Sequence, residues 1–75
     1  MLPQAVFDLL QFDLKGAADS AARGDVETGR ELLKAGLHRA LQARSDGQPW
    51  GEELLRQYEA GLANYARKYD PPQQP

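Results

Sequence analysis

The chain contains no cysteine and one histidine, His38. Disulfides are thereby excluded, and so is a His/Cys metal site, which needs several such ligands around one ion. Isoleucine is missing too. The β-branched residues are Val6, Val26 and Thr28, so little is present that favours a pleated strand. The serines are Ser20 and Ser45, neither in the local context of a nucleophile, and no glycine-rich phosphate loop or recognised carboxylate pair occurs. The apolar run near the start is broken by Asp8, Gln11 and Asp13 and has no basic segment before it, so neither a secretory signal nor a membrane span is expected. Neither sign of charge dominates. A net charge of −2 creates no field that would draw the chain to phosphate backbones or anionic lipid.

Alanine, leucine, glutamate, glutamine, arginine and lysine dominate instead, and these residues lose least on entering a helix. The punctuation divides the chain into three. Pro3 suits a first helical turn, and Gly24 suits a helix C-terminus. Asp25 reads as the N-cap of a second helix with Glu27 in its first turn. Ser45-Asp46-Gly47-Gln48 is a polar turn, Pro49 opens a third helix, and Asp70-Pro71-Pro72 stops it. The fold expected is all-α, an antiparallel three-helix bundle with helices over about 3–22, 25–44 and 49–69, since short connections make antiparallel neighbours. Residues 1–70 form a single domain, 71–75 a flexible Pro/Gln tail, and Met1 and the proline-rich end are those expected of a complete product. A domain of this size buries only about 60% of its unfolded surface. With disulfides closed to it, oligomerisation or close helix packing must supply the margin.

The strongest pattern is the ladder Gly51, Leu55, Tyr58, Leu62, Tyr65, Tyr69, whose 4-3-4-3-4 spacing puts six positions on one stripe of the third helix. Projection at about 100° per residue puts Val6, Phe7, Leu10, Leu14, Ala17 and Ala21 on one face of the first helix. Leu9 borders that face, and Ala5 and Phe12 lie further round, which makes Phe12 surplus apolar surface. In the second helix Val26, Leu33, Leu37, Ala40 and Leu41 form the buried stripe, with Leu32 off it. Beside that stripe runs a heptad of small residues, Gly29, Gly36 and Ala43. Two glycines inside a helix cost about 2 kcal/mol relative to alanine, and close approach of a neighbouring backbone would offset that. Gly16 and Gly61 are mid-helix as well. Folding at the two turns brings Gly16, Leu33 and Gly61 near one level, which predicts a tight crossing with Leu33 filling the space the glycines leave.

Asp13 falls within the apolar arc of the first helix and so needs a partner, for which Lys34, His38 and Tyr58 are within reach. Trp50 is placed either to cover Leu41 at the bundle end or to anchor a partner. Tyr69 is the tyrosine expected to be most exposed. Arg30, Lys34, Arg39 and Arg44 give the second helix a basic side, the basis for an alternative nucleic-acid-binding reading, though carboxylates interleave with them. Arg23-Gly24-Asp25 is explained as a helix stop followed by an N-cap, and Pro72-Gln73-Gln74-Pro75 as a frayed tail. The tetratricopeptide spacing fails with Gly16, Gly29, Gly36 or Gly61 at its glycine position. The length and three-helix order are similar to microtubule-interacting-and-transport domains in architecture alone, which carries no function.

The function expected is that of a small, non-enzymatic protein–protein interaction module or assembly subunit, acting through apolar helix faces and self-associating. Its interface residues are Leu9, Phe12, Leu32, Trp50 and Tyr69, its close packing lies at Gly16, Gly29, Gly36 and Gly61, and Asp13 and Tyr58 are its buried polar candidates. No cofactor, metal or membrane is expected, nucleic acid is the lesser alternative, and a chain without cysteine suits the cytoplasm.

Overall fold

The computed structural model describes residues 1–69, and the Pro/Gln segment at 71–75 and the domain end at residue 70 lie outside them. Three helices follow in chain order: α1 (Gln4–Ala22), α2 (Val26–Ser45) and α3 (Gly51–Tyr69). No strand occurs among the described residues. α2 is the central element. Both other helices lie against it along their lengths, while α1 and α3 meet only sparingly.

The two connections use the same device. At the end of α1 the Gly24 N–H donates to the Ala21 carbonyl at 2.9 Å and the Asp25 N–H to the Ser20 carbonyl at 2.9 Å. At the end of α2 the Gly47 N–H donates to Arg44 at 3.0 Å and the Gln48 N–H to Ala43 at 3.0 Å. Each is a Schellman closure, which requires a left-handed residue at its hinge, and Gly24 (φ 87°) and Gly47 (φ 82°) supply it. Asp25 then starts α2. Its carboxylate accepts from the Thr28 N–H at 3.1 Å and from the Thr28 hydroxyl at 2.6 Å, which holds its pKa below the usual carboxylate value. One residue thus finishes one helix and caps the next, which leaves α1 and α2 no room except to run antiparallel.

α2 and α3 pair in a heptad register. Gly29 lies against Tyr65, Gly36 against Tyr58, and the Ala43–Arg44 backbone against Gly51. At each level a glycine faces bulk, and each aromatic ring sits where a β-carbon would be. A Cβ on Gly29 would fall 2.7 Å from Tyr65 Cζ and 2.8 Å from the Ala17 carbonyl oxygen of α1. A Cβ on Gly51 would fall 2.7 Å from the Arg44 backbone. The tight crossing is therefore at Ala17, Gly29 and Tyr65, and not where Gly16, Leu33 and Gly61 were expected to meet. Gly16 meets only the tip of Leu32, and Gly61 the tip of Leu14. Leu33 is fully buried in the general core with Leu10, Ala17, Ala40, Leu54, Leu55, Tyr58 and Tyr65. The rings, not Leu33, fill the glycine gaps, because aromatic side chains on the α3 ladder reach α2 at the same seven-residue interval as its glycines.

Two residues assigned to the buried faces lie outside. Phe7 is 44% exposed and Leu41 is 37% exposed. Phe7 sits at the edge of a face drawn wide enough for two neighbours, whereas α1 has only α2 as a full neighbour; Leu41 lies beside the fully buried Ala40, near the end of α2.

Candidate functional site

α1 buries the wrong residues for a simple core helix. Its buried positions are Leu10, Asp13, Ala17 and Ser20, half of them polar. The residues it leaves in water include Phe7, Leu9 and Phe12, the last of them 70% exposed. Burial of a phenylalanine side chain is worth about 1.5–3 kcal/mol, so exposing Phe12 while burying Asp13 forgoes stabilisation.

The buried carboxylate is partnered through one of its oxygens. Asp13 is 4% exposed. Its Oδ2 accepts from the Tyr58 hydroxyl at 2.6 Å and from an Arg39 guanidinium nitrogen, so that α1, α2 and α3 each contribute one group. Arg39 also approaches the Tyr58 oxygen at 3.5 Å. Burial, then the bond to Asp13, pushes the Tyr58 phenol up to about 12. Tyr58 thus stays a donor throughout the neutral range. Among the described residues no buried side-chain polar atom lacks a partner. The knot ties one side chain from each helix to a single carboxylate oxygen. Lys34 and His38, both foreseen as partners, point elsewhere. Arg39 of α2 takes the place, its guanidinium on the Asp13 carboxylate, while Lys34 pairs with Glu31.

A second tyrosine clasp closes the other end. The Tyr65 hydroxyl donates to the Val26 carbonyl at 2.7 Å, and burial raises its pKa. Tyr69 stacks on Tyr65 at 4.7 Å between ring centroids, tilted by 51°, with the Lys68 ammonium 5.5 Å from its ring. Tyr69 is half-buried there and belongs to that end of the bundle, away from the other interface candidates.

Those others do gather. Leu9 (44% exposed) lines an apolar cleft of about 280 Å³ with Ala5, Val6, Trp50, Leu54, Tyr58 and Arg39. Trp50 is half-buried and lines that cleft. Phe12 lies one turn along α1 from the cleft, on the same side, and Gly16 continues that side to the half-buried Leu32 of α2. The result is an apolar band from Trp50 across Leu9 and Phe12 to Leu32. A second cleft, about 380 Å³, lies on the other side of α1, between it and α3, and mixes Phe7, Leu2 and Leu10 with Gln4, Gln11, Glu53 and Gln57.

The basic side of α2 is laced with carboxylates. Arg30 bonds Glu27 at 2.7 Å, Lys34 lies 3.7 Å from Glu31, Arg44 lies 3.6 Å from Glu52, and Arg39 is committed to Asp13. His38 is exposed. Among the described residues no group of three or more His, Cys, Asp or Glu is arranged to hold a metal, and no helix is long and apolar enough to cross a membrane. The sequence had shown Asp13, Tyr58 and the surplus at Phe12. Arg39, Ser20 and Leu54 were missed: Arg39 was read with the basic side of α2, Ser20 only as a serine without the context of a nucleophile, and Leu54 lay one place off the ladder. No protein-family model, curated protein or solved structure matches this chain.

Proposed function

We propose that this chain is a small non-enzymatic interaction module that works by burying the apolar band of α1 against a protein surface, self-association being its simplest form. One observation carries the reading: α1 spends buried positions on Asp13 and Ser20 while Leu9 and Phe12 stand in water. A helix with that distribution gains more from a partner than from its own core. Size supports the same reading, because a short domain without disulfides gains margin by association. The neutralised cations of α2 favour an apolar partner over nucleic acid, whose binders concentrate unopposed positive charge on one face. A reducing compartment such as the cytoplasm suits a chain without cysteine.

Solution mass, measured by light scattering over a wide concentration range at two salt concentrations, tests this. A dimer or larger species whose affinity barely changes with salt is the expected result. Steep weakening with salt would point to charge-driven binding instead. Phe12→Glu should abolish association and leave the helical signal and melting temperature of the monomer almost unchanged, since Phe12 lies outside the core. A variant that fails to fold would show that Phe12 is not free surface.

A further inference from the structure

We infer that the occupant of the α1 band is α1 of a second copy of this chain, lying antiparallel across a two-fold axis between the levels of Leu9 and Phe12; the inference rests on the interaction reading above.

Ala5, Leu9, Phe12 and Gly16 are spaced 4-3-4 along one side of α1, and that spacing reads the same from either end. A two-fold contact must bring the same patch of both copies together, each residue i on j being answered by j on i. One antiparallel register seats all four positions at once: Leu9 against Phe12, Ala5 against Gly16, and the converse. The large apolar residues then meet at the axis, and the small ones fall at the flanks, where the chains must pass. Sliding either copy by one turn leaves positions of the band without a counterpart.

The charges select the direction. In an isologous antiparallel pair the same flank of each helix meets itself across the axis. The flank of the band facing away from α2 carries Asp8 and Lys15, both exposed. In the stated register Lys15 of the second copy lies two residues from the level of Asp8, about 3 Å of helix rise, and the contact occurs twice by symmetry. A parallel pairing would turn this flank of each copy toward the opposite flank of the other, and both Asp8–Lys15 contacts would be lost. Each group keeps capacity for the new bond. Asp8 Oδ1 accepts from Gln4 at 2.7 Å and Lys15 Nζ donates to Asp19 at 2.9 Å, which leaves the other Asp8 oxygen and two ammonium protons.

The test is a charge exchange read by sedimentation equilibrium. Asp8→Lys and Lys15→Glu should each weaken the homodimer about tenfold, because each replaces two attractive contacts of modest strength by two repulsive ones. An equimolar mixture of the two variants should recover the parent affinity, since every flank contact in the mixed pair again joins opposite charges. Both substitutions are on exposed helix surface, so the fold survives in each. A mixture no tighter than either variant alone overturns this register and direction. Loss of the dimer on Phe12→Glu in that same case would leave the interaction reading standing. A parent chain that is monomeric to millimolar concentration overturns the second-copy assignment, and a dimer indifferent to Phe12→Glu overturns the role of the band itself.

Discussion

Replacing Gly36 with alanine adds one methyl group where the Tyr58 ring lies on α2. The new β-carbon would sit within van der Waals contact of three ring atoms, the farthest, Cδ1, only 2.7 Å away. A stiff aromatic ring cannot yield at its edge. It must translate as a whole, and its hydroxyl, 2.6 Å from Asp13, must leave the carboxylate. Overpacking of this kind costs about 1–3 kcal/mol, and a lost hydrogen bond to a buried charged group about 1.5–3 kcal/mol. Alanine's better helix propensity returns about 1 kcal/mol. A net destabilisation of about 3 kcal/mol follows, which in a domain of this size lowers the melting temperature by roughly 12–24 °C. Thermal unfolding followed by circular dichroism reads it directly. A second measurement isolates the cause: in a Tyr58→Leu background the same glycine replacement should cost much less, because nothing rigid fills the site. A Gly36→Ala protein melting at or above the parent temperature would refute the account, since the glycine would then be a weak helix residue and nothing more.

Other glycines should behave in the opposite way. Gly61→Ala and Gly16→Ala meet only the ends of Leu14 and Leu32, flexible tips that can turn aside, so each should be neutral or stabilise by up to about 1 kcal/mol in urea unfolding. Gly24→Ala and Gly47→Ala meet no neighbour but force a left-handed backbone on a residue with a side chain, and each should destabilise by about 1–2 kcal/mol in the same assay. Tyr58→Phe removes one of two donors to Asp13 and should cost about 1–3 kcal/mol, leaving association unchanged at concentrations where the monomer is folded. The phenols of Tyr58 and Tyr65 both have raised pKa values in the fold, Tyr58 at about 12. A raised acid pKa means the native state holds its proton more tightly, so this stabilisation is complete below pH 10 and is lost as pH climbs toward 12. Phenolate absorbance from these two rings should therefore rise together with the loss of helical signal; ionisation inside an intact fold would contradict their burial.

The helices were legible because several independent local features agreed: helix-favouring composition, Gly24 and Gly47 at the stops, Asp25 at the second start, and a ladder on α3 that kept its period for its whole length. The small heptad on α2 was equally plain. What the ladder and the heptad did for each other was not, because a period says which residues share a face and leaves open which residue of one helix meets which of its neighbour. The tight crossing fell about one turn from Gly16 and Gly61, at Ala17, Gly29 and Tyr65, and Asp13 took Arg39 as its α2 partner in place of Lys34 or His38. Long side chains add to that uncertainty, because a flexible arginine such as Arg39 can place its guanidinium well away from its own backbone. Phe7 was placed inside for a different reason, since the apolar arc of α1 was drawn on the assumption that this helix has two full neighbours.

That assumption fails at α1, and its failure accounts for the chemistry of the surface. α2 and α3 approach closely because glycines on one take rings from the other, and this close pair consumes the two buried tyrosines and most of the large core leucines. α1 is left to pack on one neighbour with a face of Leu10, Asp13, Ala17 and Ser20, which is narrow and half polar. Its link to the pair combines the Asp13 clasp and the Ala17–Gly29 contact with Val6, Leu14 and Ala21, which pack half-buried against the core. A helix whose fully buried positions are half polar, with Leu9 and Phe12 exposed beside them, is the element whose stability stands to rise most on association. The coupling makes a further claim that can be measured. Hydrogen exchange of α1 amides should slow with protein concentration across the dimerisation range, while amides at the α2–α3 contact, already protected in the monomer, should change little. Equal slowing in all three helices would mean that α1 is no weaker than its neighbours, and the imbalance between its two faces would then need another explanation.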